Sequence, residues 1–121
     1  MPVIWDFLDD VLALKYVGNP TTKERQDAVT EAMADPAFRP GMALLFDTRS
    51  SISAVGTDEL RKRVEWAVGL TSLGFRPQFA VVADPTRGGI VEAGVRMIDG
   101  RVEVGVFATI AEALAWLATS A

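Results

Sequence analysis

The stretch VEVGVFATIAEALAWL, residues 102–117, joins a predicted strand directly to a predicted helix. Its first half alternates valine with glutamate and glycine before Val106 and Phe107, a pattern that is typical of a pleated strand. Thr109 and Glu112 have the spacing of a capping box, in which two side chains satisfy free N–H groups at the start of a helix. Apolar residues then recur at helical spacing, at Ile110, Ala113, Leu114 and Leu117. The segment therefore predicts a β-strand followed at once by a packed helix.

Composition limits the class of protein. The chain has 121 residues, of which half are apolar, and this length predicts one domain spanning residues 1–121. With 16 acidic and 12 basic side chains the net charge is −4, which disfavours nucleic acid and anionic membrane surfaces as partners. No apolar run reaches the roughly 20 residues of a membrane span, and no secretory leader is recognisable. We therefore expect a soluble, cytoplasmic protein.

Runs of β-forming residues predict four further strands upstream of this segment. The first two runs, Val3–Phe7 and Val11–Val17, flank a short polar break and predict a hairpin. The other two, Met42–Phe46 and Phe79–Ala83, are continuously apolar, as expected of strands covered on both faces. A loop is predicted after each of these two, at residues 47–51 and 84–89.

Helix signals lie between the strands. Thr21 and Glu24 form a second capping box, Thr57 is the predicted cap of the next helix, and Gly100 ends a helix that contains Val91. The resulting order is β-β-α-β-α-β-α-β-α. Short connections between alternating strands and helices predict an α/β fold with a mainly parallel five-stranded sheet, an antiparallel first strand and four helices.

The order of elements, the loop predicted after Met42–Phe46 and the ending VFATIAEALAWL at residues 106–117 resemble small bacterial SpoIIAA-like proteins of the STAS/Sec14-like group. The resemblance covers nearly the whole chain, and its most specific part is the ending. That ending has the valine-phenylalanine strand end, the acidic cap and the alanine-leucine-alanine-tryptophan-leucine helix of the group. These are packing residues, so the resemblance implies a SpoIIAA-like, STAS-type domain.

The resemblance also implies a kind of function. STAS domains act as regulators, which implies a noncatalytic regulatory or interaction module that binds a partner protein. Sec14-like domains carry lipids, which implies the alternative of a small-ligand or lipid-binding module. In the antagonist proteins of the STAS group, a serine that is phosphorylated starts the helix after the central strand. The corresponding region here contains Ser50 and Ser51 but lacks the group's aspartate-serine-serine-glycine motif.

Two polar loops are the candidate ligand site. The loops share an aspartate, a threonine, an arginine and small residues after a buried strand, and they supply Asp47, Arg49, Asp84, Thr86, Arg87, Gly88 and Gly89. Ligands of open parallel sheets bind at the carboxyl ends of the strands, where helix N-termini favour anions. The competing interpretation is structural, because each aspartate can cap its loop and pair with the neighbouring arginine.

The residues needed for most enzyme chemistry are missing. The chain has no histidine and no cysteine, which excludes a serine-histidine-aspartate triad, a thiol nucleophile and a thiolate metal site. Asp47 and Asp84 are the remaining candidates for an acid/base pair or for holding Mg²⁺. We therefore predict no enzyme activity, no catalytic residue, no metal and no cofactor.

Apolar side chains leave two further hypotheses open. Aromatic and methionine residues are candidates to line a cleft for a hydrophobic ligand: Trp66, Phe75, Phe79, Met97 and Trp116. The stripe of Trp66, Leu70 and Leu73 is a candidate interface for a homodimer or a partner protein. An exposed Trp66 patch favours protein binding, an enclosed cavity favours ligand binding, and convergence of Asp47 and Asp84 on one ion favours an enzyme.

Overall fold

The computed structural model describes residues 2–51 and 56–119, without the side chains of residues 87–90, and it is built on a five-stranded sheet. The strands lie side by side in chain order, with β1 antiparallel to β2 and every other neighbouring pair parallel. Their bounds are β1 (Val3–Leu8), β2 (Val11–Gly18), β3 (Ala43–Ser51), β4 (Gln78–Val82) and β5 (Glu103–Phe107). The predicted sheet with its antiparallel first strand is confirmed.

Helices cover both faces of the sheet unequally. The four helices are α1 (Thr22–Ala34), α2 (Thr57–Gly69), α3 (Gly88–Ile98) and α4 (Ile110–Thr119), and short 3₁₀ turns occupy Leu70–Leu73 and Pro85–Arg87. Right-handed crossovers between strands that are neighbours in chain order place α1, α2 and α3 on one face. Helix α4 follows the last strand and packs on the other face, against β3, β4 and β5. None of the described helices is long and apolar enough to cross a bilayer.

Strand β3 is buried on both faces of the sheet, which accounts for the continuous apolar run Met42–Phe46. Leu44 and Phe46 belong to the core cluster under α1–α3, whereas Ala43 and Leu45 belong to the cluster under α4. Side chains alternate between the two faces of a strand, so a strand buried on both faces requires apolar residues at every position.

The first two strands meet in a two-residue turn. Leu8 pairs with Val11, so Asp9 and Asp10 form the connection predicted by the polar break. Asp9 has a φ of 54°, in the left-handed region that aspartate tolerates better than most residues. The hairpin prediction is therefore confirmed.

Residues 102–117 include β5 and most of α4, and α4 covers the second face of the sheet. Thr109 Oγ1 accepts a hydrogen bond from the Glu112 N–H at 3.2 Å and caps α4, as predicted. The Phe107 and Trp116 rings lie 5.4 Å apart and close over Gly105 in β5. A Cβ atom added at Gly105 would lie 2.7 Å from the Phe107 ring, so this strand position has no room for a side chain unless the ring moves.

Three local predictions were wrong. The loop predicted at residues 84–89 is mostly helical, because a 3₁₀ turn occupies Pro85–Arg87 and α3 begins at Gly88. Residues 47–51 are not a loop, because β3 continues through Ser51 and pairs Ser50 with Val17 and Ser51 with Gly18 beyond a bulge. The partner strand β2 is long enough to hydrogen-bond these polar residues. Thr57 is also not a helix cap, since Gly56 occupies the N-cap position in an extended conformation and Thr57 is the first helical residue. The capping box of Thr21 and Glu24 is present in full.

Helices α2 and α3 pack together at Gly94. A Cβ atom added at Gly94 would lie 3.7 Å from Val64 and 3.9 Å from Leu60, which are ordinary van der Waals distances. We expect Gly94→Ala to raise the free energy of unfolding by about 0.5–1 kcal/mol, because alanine restricts the unfolded chain and favours a helix. Urea denaturation measures this, with Gly74→Ala as the control. Gly74 has a φ of 106°, in the left-handed region, so alanine there should lower the free energy of unfolding. If both variants change the free energy of unfolding in the same direction, the prediction is wrong.

Candidate ligand-binding cavity

An apolar cavity lies between the sheet and helices α2 and α3. Its volume is about 210 Å³. The floor is formed by inward-facing strand residues, and the roof by one face of each helix. The apolar lining includes Phe46, Phe79, Val81, Val104, Val64, Trp66, Val91 and Val95. Of the five residues predicted to line a hydrophobic cleft, Trp66 and Phe79 line this cavity, whereas Phe75, Met97 and Trp116 do not. Trp116 packs instead in the cluster on the other face of the sheet.

Five polar side chains also line the cavity, of which Thr48 and Ser51 come from β3. Tyr16 comes from β2, Arg25 from the first turns of α1 and Arg63 from α2. Tyr16 continues the inward-facing series of Leu12 and Leu14, so the alternation of β2 brings its ring to the cavity. The cavity therefore combines an apolar body with two guanidinium groups and a phenol.

Arg25 is a buried cation. Only 3% of the residue is exposed. Its Nη1 donates to the Pro20 carbonyl oxygen at 2.9 Å and its Nη2 donates to Thr22 Oγ1 at 3.1 Å, so both acceptors are neutral. Its Nε–H is buried without a hydrogen-bond partner among the described residues. The Cζ atom lies 5.8 Å from the centre of the Trp66 ring, at cation–π distance.

The cavity environment shifts the protonation of its polar groups. Burial raises the pKa of the Tyr16 hydroxyl, although the charges of Arg25 and Arg63 act in the opposite direction. This hydroxyl therefore stays protonated at neutral pH and can donate a hydrogen bond. Burial also lowers the pKa of Arg25, but guanidinium groups start from so high a value that the charge is kept.

Arg63 is better compensated than Arg25. Its Nε lies 3.4 Å from Glu59 Oε1, and its Nη2 donates to Asn19 Oδ1 at 3.0 Å. Glu59 is one helical turn before Arg63, which is the spacing that favours an ion pair on a helix. The carboxylate near this part of the cavity is thus already engaged by Arg63.

Sequence reasoning missed Arg25, although a signal was present. Arg25 lies three, four and seven residues before Ala28, Val29 and Ala32, so it belongs to the buried stripe of α1. An arginine on a buried helical face needs an explanation, since unpaired buried charges are costly. Its position in the stripe was the available clue.

The Asp47 carboxylate is paired within its own strand. Asp47 is 3% exposed, and its two oxygens accept from Arg49 Nε and Nη2, both at 2.9 Å. Burial acts to raise the pKa of Asp47, but the hydrogen bonds and charge of Arg49 outweigh it, so the pKa lies below its ordinary value. The pairing that the structural interpretation predicted for Asp47 and Arg49 is present.

Asp84 and Thr86 also satisfy each other locally. Asp84 Oδ1 accepts from the Thr86 N–H at 2.9 Å and from the Thr86 hydroxyl at 2.8 Å. Asp47 pairs in register with Val82, so Asp84 lies beyond the same carboxyl edge of the sheet. The side chain of Arg87 lies outside the described part of the structure, and Gly88 and Gly89 are the first residues of α3.

A second depression, of about 500 Å³, adjoins Asp84 and also contains the carboxylate of Glu92 and the guanidinium of Arg96. Among its described lining residues, two carboxylates stand beside one arginine, which is a poor environment for an anion. Among the described residues, no group of three or more acidic side chains could hold a metal ion. This edge of the sheet is therefore a weaker candidate site than the cavity.

The two serines differ in accessibility. Ser50 is exposed, whereas Ser51 is buried and lines the cavity. Both lie in β3, and α2 does not begin until Thr57. Of the two candidate phosphorylation sites, only Ser50 is accessible to a kinase in the folded protein.

The candidate interface stripe is divided between surface and core. Leu73 is 53% exposed, but Leu70 is buried and Trp66 is half-buried against the core and the cavity. The 3₁₀ turn at Leu70–Leu73 follows α2 directly and turns Leu70 inward. The three side chains therefore do not form one exposed patch, which corrects the prediction that they share a surface.

Comparison with known proteins identifies the fold. No family model matches the sequence, and no curated protein matches it. Among solved structures, the chain is similar to an uncharacterized DUF3478-family protein with a SpoIIAA-like fold from Shewanella loihica PV-4. The identity is 20%, the match covers 95% of this chain and 91% of that chain, and the TM-score is 0.58. The protein therefore has a SpoIIAA-like α/β fold, as the sequence resemblance implied.

Proposed function

We propose that this protein is a noncatalytic binding module that holds a small, largely apolar molecule in the cavity between the sheet and helices α2 and α3. The supporting observation is the cavity itself, with its apolar lining of strand and helix side chains. Ligand sites are commonly concave and apolar with a few placed polar groups, and the cavity has this composition. The alternative of a small-ligand module thus becomes the leading function.

The volume limits the size of the ligand. An engineered cavity of about 150 Å³ binds benzene, whereas drug-sized ligands occupy about 300–1,000 Å³. A cavity of about 210 Å³ suits one ring with a short chain. A two-chain lipid is too large, so the size argues against the lipid-carrier form of the hypothesis.

The lining favours binding over catalysis. No carboxylate is among the described residues that line the cavity. The Thr48 hydroxyl donates to the Val82 carbonyl oxygen at 3.0 Å, and the Tyr16 hydroxyl is held protonated by burial. A general base within reach of a bound molecule is therefore missing from this part of the chain.

A cavity-filling variant tests the proposal. Val81 lies on β4 and lines the cavity, so Val81→Phe should occupy the space that the ligand needs. We expect at least a tenfold loss of affinity for a small neutral probe such as 3-phenyl-1-propanol, measured by chemical-shift titration. Ile4→Phe is the matched control, because Ile4 is exposed on β1.

The two variants separate the outcomes. Loss of binding in Val81→Phe with native affinity in Ile4→Phe supports the cavity as the site. Failure of the native protein to bind any small apolar probe, or unchanged affinity in a folded Val81→Phe variant, contradicts the proposal.

Binding of a partner protein is the second candidate function. Ile4 and Val17 are exposed apolar neighbours on the face that carries α4, but α4 packs on β3, β4 and β5. Contiguous exposed apolar patches mark interaction surfaces, and on this proposal Ile4 and Val17 belong to such a patch. If this surface pairs two copies of the chain, Ile4→Lys should lower the apparent mass in sedimentation equilibrium, and a native monomer contradicts the homodimer.

A further inference from the structure

We propose that the ligand of the cavity is a small monocarboxylate with an apolar body, whose carboxylate pairs with Arg25. This inference rests on the proposed function, since it names the chemical class of the molecule that the cavity holds. The apolar lining holds the body, and the buried guanidinium supplies the charge that the carboxylate requires.

The charges around Arg25 are unbalanced in the described part of the chain. Its two hydrogen-bond acceptors are the Pro20 carbonyl oxygen and the Thr22 hydroxyl, neither of which carries charge. Among the described residues, Glu59 is the acidic group that acts on Arg25, and its carboxylate is paired with Arg63. Buried charges are normally paired, because an isolated charge loses its hydration without compensation. A bound anion provides the missing partner.

The donors favour a carboxylate in particular. Among the described residues, the Nε–H of Arg25 is buried without a hydrogen-bond partner, and the charge of Arg25 acts on the Tyr16 hydroxyl, which also lines the cavity. Two donors match the two oxygens of a carboxylate, and the proposed contact requires the guanidinium to turn so that its buried Nε–H reaches the ligand. A phosphate carries more oxygens and more charge than these donors satisfy, so a phosphorylated ligand fits less well.

The aromatic lining favours a ring in the body of the ligand. Phe46 and Phe79 already pack edge to face, with centroids 5.4 Å apart, and Trp66 lies beside the Arg25 guanidinium. Rings pack against such surfaces in offset or edge-to-face geometry. A phenyl group with a short chain thus reaches from the aromatic wall to Arg25.

Three probes of nearly equal shape test the inference: 3-phenylpropionate, 3-phenyl-1-propanol and 3-phenylpropylammonium. We expect the carboxylate to bind the native protein at least tenfold more tightly than the alcohol, and the ammonium to bind more weakly than either. Chemical-shift titration gives the affinities. The Arg25 Nε–H signal should also move on binding of the carboxylate and much less on binding of the alcohol, which tests the contact without any substitution.

Arg25→Met is the informative variant. Methionine fills similar volume without charge, so we expect the preference for the carboxylate over the alcohol to fall below about threefold while the alcohol keeps its native affinity. Arg76→Met is the matched control, since Arg76 also has a buried Nε without a described partner but does not line the cavity. It should keep the native preference.

Each outcome separates the inference from the proposed function. Equal binding of the carboxylate and the alcohol overturns the monocarboxylate but leaves the cavity as a ligand site. Tighter binding of the ammonium overturns the charge argument. Binding of none of the probes overturns both. If Arg25→Met does not fold, an Arg25 Nε–H signal in the native protein that is unmoved by a bound carboxylate overturns the inference.

Discussion

Replacing Leu117 with alanine is expected to lower the free energy of unfolding by about 3 kcal/mol. Leu117 is 1% exposed and belongs to the cluster that joins α4 to the second face of the sheet. Leucine-to-alanine changes at such positions lose the transfer energy of the side chain and leave a cavity behind. Leu45 and Val82 of the same cluster are held in neighbouring strands and cannot move to fill the space that the shorter side chain leaves.

Leu114→Ala provides the matched control for Leu117→Ala. Leu114 lies on the same helix but is only partly buried, so the same substitution there should cost about 1 kcal/mol. Urea denaturation of both variants gives the difference. Equal losses contradict the described orientation of α4. Because the cavity lies on the opposite face, neither variant should change the affinity for 3-phenyl-1-propanol while the protein is folded.

The fold could be predicted because its determinants are local and periodic. The stretch that ends in α4 combines an alternating strand, a threonine cap and a helical stripe, and each of these is present in the structure. The error at residues 47–51 has a different origin. Polar residues after an apolar run favour a loop, but β2 extends to Gly18 and supplies hydrogen bonds to β3 as far as Ser51. Strand length therefore depended on a partner that local sequence does not reveal.

The site was harder to predict for a physical reason. Polar residues after buried strands predicted a ligand site, but Asp47 and Asp84 form hydrogen bonds with Arg49 and Thr86. A cavity is volume that packing leaves unfilled, so it depends on the sum of side chains from the sheet, α2 and α3. Periodicity identifies which faces are apolar, but it does not measure the space between them. The position of Arg25 in a buried stripe was the one local sign of the site.

Replacing Arg49 with methionine is expected to destabilise the protein by about 2 kcal/mol at pH 7. The substitution leaves the buried Asp47 carboxylate without the guanidinium that donates to both of its oxygens. Breaking a fully buried pair costs about 3–5 kcal/mol, and the lower figure here reflects an Arg49 side chain that is 41% exposed. Arg39→Met is the control, because the Arg39–Asp10 pair is exposed on both sides and should contribute less than about 1 kcal/mol.

The pH dependence gives this prediction its sharpest test. In the native protein the pKa of Asp47 lies below the unfolded value, so the pair's contribution is fully present above about pH 3.9 and is lost as the pH falls through the folded pKa. In Arg49→Met, burial is opposed only by the backbone N–H of residue 49 and by Lys15, so we expect the pKa of Asp47 to rise above its ordinary value. The folded variant then binds a proton more readily than its unfolded chain, which favours folding as the pH falls. The deficit at pH 7 should therefore shrink by about half near pH 4.5 in urea denaturation, and Asp47→Asn added to Arg49→Met should remove this pH dependence. A deficit that is constant between the two pH values contradicts the burial of an ionised Asp47.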